Sequence, residues 1–409
     1  MIDLRTPKHL VLLGFPLQTG AYSYETTAFA TAVFEELLTR WEKQDEFLTK
    51  HLAKLSFVGV AEQSGVLTNF SKRFQKANVV SIPPKAPNNS FFSFVLQQTI
   101  WKSRLATYLK TSVIPTVLLS PTDYLSIPNA ATYTAIFVPE IAEKRLAPEQ
   151  KSGVSSILSL ITQQTSKKSL TTADCLYTCS HDSAQAIQKN YGAEKIPTVL
   201  QLGNKYANAD TTALLRQPAP IRDPYFMYIG TYTQKDNMAG LMSGFATFIR
   251  SYEDTNHTKI VFAGGNGYKK ILISLAKKEG ILENLLLLEQ LSAEEQASYL
   301  VHSLGLLRLP TEAASGLPET EALALGVPVI SAELPAIREM TQEFAILLPP
   351  HHPETAAPLV YKLAKKKISQ EHRIIAATHA KQLTWQHTTD TLLTHLIEYC
   401  EEHKPRQIV

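Results

Sequence analysis

One stretch of this chain combines acid, glycine and proline at spacings suited to holding an anion. Arg308 to Met340 reads RLPTEAASGLPETEALALGVPVISAELPAIREM. Gly316-Leu317-Pro318 is a turn signal that opens a helix, because glycine tolerates unusual dihedrals and proline suits the first helical turn. The helix is predicted from about Pro318 to Leu325, stopping at Gly326, and Val327-Pro328-Val329-Ile330 is predicted as a short strand. A loop of small residues entering a helix presents backbone N–H groups at the positive end of a dipole, and phosphate is the usual anion there. Glu321 lies one turn inside the helix, placed to reach a hydroxyl of the molecule that carries the anion. An ordinary strand-to-helix turn with a surface glutamate fits the same residues.

Three other places share the strand-loop-helix pattern. His9 to Gly14 is a continuous apolar run that enters Pro16-Leu17-Gln18-Thr19-Gly20 and then a helix from about Ala28 to Lys43. Tyr225 to Gly230 is a buried strand followed by the loop Thr231 to Asn237, which holds Lys235, and by an amphipathic helix to Arg250. Lys259 to Ala263 ends in Gly264-Gly265-Asn266-Gly267, and a glycine-rich strand end is where open α/β sheets bind ligands. Further short apolar runs at Leu55–Val60, Val79–Ile82, Thr116–Leu119, Tyr133–Val138, Leu176–Thr178, Thr198–Leu202, Leu285–Leu288 and Gly305–Leu309 alternate with helical patterns. That alternation predicts an α/β fold with mostly parallel sheets.

Length and composition set the frame. A chain of 409 residues exceeds one ordinary core, so two domains are expected. The 44% hydrophobic and 19% charged content describes a globular protein, and 40 basic against 37 acidic residues leave no nucleic-acid footprint. Lys365-Lys366-Lys367 is the one basic run and reads as a solvated helix face. Cys175, Cys179 and Cys400 are odd in number and lack a metal-ligand spacing, which favours a reducing compartment. No apolar run reaches the length of a membrane span, and the expected location is cytoplasmic. Phe91 to Leu109 interleaves aromatic residues with Lys102 and Arg104, a pattern that serves either a core-facing helix or a helix resting on an anionic membrane. Pro218, Pro220 and Pro224 read as a stiff linker at the domain boundary.

The 308–340 stretch resembles the signature of the retaining family-4 (group 1) glycosyltransferases, P-S-x-x-E-G-F-G-L-P-x-x-E-A-x-A-x-G-x-P-V-I. It matches at Pro310, Gly316, Leu317, Pro318, Glu321, Ala322, Ala324, Gly326, Pro328, Val329 and Ile330. The chain is one residue shorter where the family has E-G-F, so either Glu312 or Ala313 takes the place of the first glutamate. Tyr228-Ile229-Gly230-Thr231 through Lys235-Asp236-Asn237 resembles the family's Y-V-G-T-x-x-x-R-K-N, with Asp236 replacing one of the two basic residues. Thr134-Ala135-Ile136-Phe137-Val138 stands where many relatives have T-I-H-D, with Phe137 at the histidine. Leu118 to Leu125, Tyr177 to Ala193, Gly264 to Gly267 and the closing helix around Trp385 resemble further family segments.

The resemblance implies the GT-B fold, two Rossmann-like domains whose mostly parallel sheets face a cleft. The expected domains are 1–218 on the acceptor side, 219–385 on the nucleotide-sugar donor side, and 386–409 as a helix crossing back to the first. It implies transfer of a sugar from a nucleoside-diphosphate sugar to a glycan or lipid-linked acceptor, as in polysaccharide biosynthesis. Glu312 is then the catalytic-site candidate, and Lys235, Asn237, Gly264, Ser315, Gly316, Leu317 and Glu321 are the donor-binding set. Thr19, Gly20 and Phe137 fall on the acceptor side. No D-x-D triplet occurs, so no metal and no cofactor is expected, and leaving-group charge falls to a helix dipole and basic side chains. The changes at Phe137, Asp236 and the shortened loop keep two alternatives open. One is a catalytically silent protein that binds a glycan or a partner glycosyltransferase; the other is a nucleotide-sugar 2-epimerase. Peripheral membrane contact at the inner face accompanies a lipid-linked acceptor.

Overall fold

The structure is a computed structural model that describes residues 8–14, 24–60, 71–82, 91–122, 131–139, 164–192, 195–230, 232–264, 268–365 and 368–404. The chain forms two compact units, Met1–Leu200 joined by Trp385–Val409, and Gln201–Thr384.

The first unit holds β1 (Lys8–Leu13), β2 (Leu52–Val60), β3 (Asn78–Ile82), β4 (Thr116–Ser120), β5 (Tyr133–Phe137), β6 (Cys175–Thr178) and β7 (Thr198–Val199). They lie in the order β3-β2-β1-β4-β5-β6-β7 with every pairing parallel. β1, β4, β5 and β6 are buried along their whole length, which is why they read as unbroken apolar runs rather than alternating ones. The Tyr24–Glu42 helix sets Phe29, Val33, Phe34, Leu37 and Trp41 against the sheet at three- and four-residue intervals. In the Phe91–Lys110 helix, Trp101, Leu105 and Leu109 pack into the core with Val11, Leu13, Val58 and Leu118. That part of the basic-aromatic stripe is therefore core-facing. The Trp385–Glu402 helix belongs to this unit: Arg40 pairs with Asp390, and the Tyr177 hydroxyl lies 2.9 Å from Nδ1 of His395. The Tyr133 hydroxyl donates to the Cys400 and His403 carbonyls at 3.2 and 2.7 Å. Cys175, Cys179 and Cys400 are buried and form no disulfide, and burial pushes the Cys175 and Cys400 thiols up to about 12.

The second unit holds β8 (Tyr225–Tyr228), β9 (Lys259–Ala263), β10 (Leu285–Leu288), β11 (Gly305–Leu307), β12 (Val329–Ala332) and β13 (Ile346–Leu348), all paired in parallel in the order β10-β9-β8-β11-β12-β13. Both faces are covered. Phe226 and Tyr228 enter one core with Phe245, Phe248 and Phe262, while Met227 and Ile229 enter the other with Leu306 and Val329. This period of two follows from the strand geometry. The unit begins upstream of the proline linker expected at the boundary. Asn204 anchors that earlier segment by donating from Nδ2 to the Ala380 carbonyl and from its backbone N–H to Leu383 O. Tyr206 is buried in the second unit's core.

Candidate functional site

In the second unit the strand order reverses between β8 and β11. The loops leaving the carboxyl ends of such a strand pair border the crevice where open α/β sheets bind ligands. After β8 comes the Gln234–Asp236 turn; after β11 comes the Arg308–Gly316 loop and the Leu317–Ala324 helix. The two loops are tied directly. Thr311 donates its backbone N–H to the Lys235 carbonyl at 2.8 Å. The sequence-predicted Lys235, Glu312, Ser315, Gly316 and Leu317 therefore sit on two connected loops of one unit.

Each of these residues has a definite local reason. Gly316 precedes the helix and takes a backbone bond from Thr320 N–H through its own carbonyl. A Cβ there would lie 3.1 Å from the Ile337 carbonyl oxygen and 3.3 Å from Met340 Cβ, a tight approach at which the neighbours must give by a few tenths of an ångström. Ser315 is buried and accepts the Leu317 N–H on its Oγ at 3.2 Å. With that N–H engaged and Pro318 lacking one, the helix start offers a narrower anion cradle than the sequence pattern suggests. Leu317 is fully buried. Glu312 is exposed, and Ala313 behind it is half-buried. Gly264 ends β9 at φ 79°, a left-handed conformation that favours glycine, and its N–H donates to Glu289 O at 3.1 Å.

Asn237 and Asp236 turn away from the role their positions suggest. Asn237 Oδ1 caps the next helix by accepting from Gly240 N–H at 3.1 Å, and its Nδ2 donates to the Leu309 carbonyl at 3.0 Å. Its amide is committed at both ends. Asp236, the acid standing for a basic residue, is buried. Its Oδ2 accepts from Thr233 N–H at 2.9 Å and from Thr233 Oγ1 at 2.7 Å. Its Oδ1 faces Nη2 of Arg308 at 3.5 Å.

Arg308 is the group that sequence reasoning missed. It follows β11, is buried, and donates from Nη1 to Glu319 Oε1 at 2.7 Å; Ser331 Oγ on β12 donates to the same oxygen at 2.7 Å. The guanidinium also lies 5.9 Å from the Tyr228 ring centroid. Burial, with the Asp236 carboxylate adding, pushes the Tyr228 phenol well above its ordinary range. A signal was present: Glu319 and Glu321 are two apart on one helix, so their side chains project to different faces.

Both are buried. Glu321 Oε2 lies 3.3 Å from Nζ of Lys205, which also donates to Gln296 Oε1 at 2.6 Å. Tyr206 donates its hydroxyl to the same Gln296 oxygen at 3.0 Å; burial, then the nearby Glu321 and Glu294 carboxylates, push its phenol up. In the first unit, Phe137 is fully buried and stacks on Phe29 with centroids 4.0 Å apart. Thr19 and Gly20 lie outside the described residues. Among the described residues no group of three or more His, Cys, Asp or Glu could hold a metal ion, and no helix is long and apolar enough to cross a membrane.

Comparison with known proteins places this geometry. Residues 213–380 match the family described as glycosyl transferases group 1. No curated protein sequence matches the chain. Among solved structures, sucrose-phosphate synthase from Thermosynechococcus elongatus superposes with a TM-score of 0.69 at 13% identity, covering 97% of this chain and all of that one. An Anabaena protein, HepE, in complex with UDP and glucose gives 0.64 at 11% identity over 95% of this chain and 98% of its own. WaaG, a glycosyltransferase involved in lipopolysaccharide biosynthesis, gives 0.60 at 13% identity over 96% and 98%. The likenesses establish a two-domain α/β fold of the GT-B type, and residues 213–380 carry the match to group 1 glycosyl transferases.

Proposed function

We propose that the protein transfers a sugar from a nucleoside-diphosphate sugar to a glycan or glycolipid acceptor, with retention of anomeric configuration and without a metal. The observation that carries this reading is the convergence at the β8/β11 reversal, where the Thr311 N–H bond to the Lys235 carbonyl joins the lysine turn to the loop entering the Gly316 helix. In this reading Lys235 and the positive end of the Leu317–Ala324 helix take up charge on the departing diphosphate. Glu321 holds the nucleotide ribose, Glu312 holds a hydroxyl of the donor sugar, and Gly264 lets the ligand approach the end of β9. Ser315 and Leu317 shape the helix start, and Asn237 acts by holding the lysine turn. Front-face attack needs positioning more than a protein nucleophile, which suits a site with few reactive side chains. The UDP and glucose bound by HepE make a UDP-sugar the first donor to test. A lipid-linked acceptor, a partner transferase and a peripheral site at the inner membrane belong to the same proposal.

The test is thermal denaturation with a panel of nucleotide-sugars, followed by NMR of the product anomer. A donor that raises the melting temperature by mass action and yields a retained linkage supports the reading. An inverted linkage removes retention, and a chelator-sensitive rate removes the metal-free mechanism. A second reading, a silent protein that binds a glycan or a partner transferase, draws on Phe137 buried against Phe29 at the family's histidine position. Its mark is glycan or partner binding with no turnover of any donor.

A further inference from the structure

We propose that Arg308 is a positioning residue for the donor leaving group, an inference that rests on the reading of the β8/β11 loops as the donor site. Its guanidinium joins four segments of the second unit at one buried point. Nη1 donates to Glu319 in the first turn of the Leu317–Ala324 helix at 2.7 Å, and Glu319 in turn is held by Ser331 of β12. Nη2 faces Asp236 in the Gln234–Asp236 turn at 3.5 Å, and the planar group lies beside the Tyr228 ring of β8. Gly230, just past β8, leaves the room this requires, since a Cβ there would come within 3.2 Å of Nη2 and 2.8 Å of the Tyr228 hydroxyl.

The two acids bridged by Arg308 are the immediate neighbours of the groups the reading assigns to the diphosphate. Asp236 follows Lys235, and Glu319 lies two residues past Leu317 at the helix start. One rigid fork therefore sets the spacing between the lysine turn and the helix end. Arginine suits this task because its donors are fixed in a plane, whereas a lysine delivers a point charge to one carboxylate. The arrangement also accounts for the acid at position 236. The side chain turns inward to accept from Thr233 and to meet Arg308, so the residue shapes the turn instead of binding the anion.

Positioning and simple electrostatics predict opposite signs for one substitution. Asp236→Asn removes a negative charge next to the lysine turn. Coulomb attraction alone then predicts tighter binding of a diphosphate, while a positioning role predicts weaker binding because the turn loses its link to Arg308. The experiment is calorimetric titration of wild type, Asp236→Asn and Arg308→Lys with UDP, ADP and GDP, well below the melting temperature of each. The expected result is that wild type binds at least one of these and both variants bind it about tenfold more weakly or worse, with amides of residues 233–237 exchanging faster. Unchanged or tighter binding by Asp236→Asn overturns the positioning role and leaves the donor site standing. A wild type that binds none of the three overturns both. Should Arg308→Lys fail to fold, the Asp236→Asn comparison decides alone.

Discussion

Nζ of Lys205 lies 3.3 Å from a Glu321 carboxylate that is only 2% exposed. The lysine comes from the loop that opens the second unit and the glutamate from the middle of its Leu317–Ala324 helix, so the pair joins positions far apart in sequence. Glu321 is thus already engaged by a cation, which on the proposed reading is shared or displaced when a ribose binds. Glu321 is buried while Lys205 is exposed, so losing the lysine leaves a buried carboxylate without this cation, whereas losing the carboxylate leaves the lysine in water. Glu321→Gln is expected to weaken nucleotide binding by about 1–3 kcal/mol, the range for losing a charged hydrogen bond. Lys205→Met is expected to lower the melting temperature. Calorimetric titration and thermal scans of the two variants check this, and unchanged nucleotide affinity in Glu321→Gln would reduce that residue to a structural role.

The exposed Glu312 stands next to Thr311, whose N–H is fixed on the Lys235 carbonyl. Glu312→Ala is expected to lower kcat/KM for donor hydrolysis or transfer by about 10- to 100-fold, equivalent to roughly 1.4–2.7 kcal/mol of transition-state binding. Steady-state kinetics with the donor selected by thermal shift provides the check. Full activity in the variant takes Glu312 out of the site and leaves half-buried Ala313 at the position of the family's first glutamate.

Gly316 has an ordinary φ of −103°, so its requirement is steric. Gly316→Ala is expected to destabilise the protein by about 1–3 kcal/mol as the Leu317–Ala324 helix backs away from Ile337 and Met340. Because this moves the helix start, donor affinity is expected to fall with it. Urea denaturation gives the first quantity and donor titration the second; a variant as stable as wild type would show that the contact relaxes freely.

His9 offers a pH test that is independent of the donor site. Burial first, and the nearby Lys54 charge second, lower its pKa to about 4, while Nε2 lies 2.7 Å from Ser56 Oγ. The fold therefore favours the neutral ring. The unfolded chain takes up a proton near pH 6.5, so this contribution is complete above that pH and is lost as pH falls toward 4. Its size, after allowance for solvent screening, is on the order of 1–2 kcal/mol. Urea midpoints from pH 7.5 to 4.5 should fall less steeply in His9→Gln than in wild type. Equal slopes would mean that His9 does not contribute.

The scaffold was far more legible than the site. Lys259–Ala263 and the half-buried edge strand Leu285–Leu288 have the bounds expected from sequence, because parallel strands packed against helices declare themselves as apolar runs. The short β13 escaped notice, since Ile346 to Leu348 is too brief to stand out beside Phe344 and Ala345. At the site, motif positions pointed to two loops that the Thr311–Lys235 bond ties together, while the partners of several side chains in them left no sign in the sequence. Asn237 matches the family pattern yet spends its amide on a helix cap and a carbonyl, both local needs that any turn of this shape imposes. Asp236 looked like an electrostatic fault until Arg308, seventy-odd positions away, supplied its partner. Long-range charge pairing of that kind leaves no local spacing to read.

The nesting of the second unit inside the first bears on how the polypeptide matures. Asn204 bonds to the Leu383 and Ala380 carbonyls, so the entry and exit of the Gln201–Thr384 unit are fastened together at its own base. Among the described residues, the first unit is closed by the Trp385–Glu402 helix, which reaches Arg40, Tyr133 and Tyr177. On the ribosome the inner unit can complete itself as soon as residue 384 has emerged. The outer sheet, though translated earlier, must wait for the inner unit to be synthesised, on the order of ten seconds or more at cellular elongation rates. During that interval the residues that receive the last helix lack its cover.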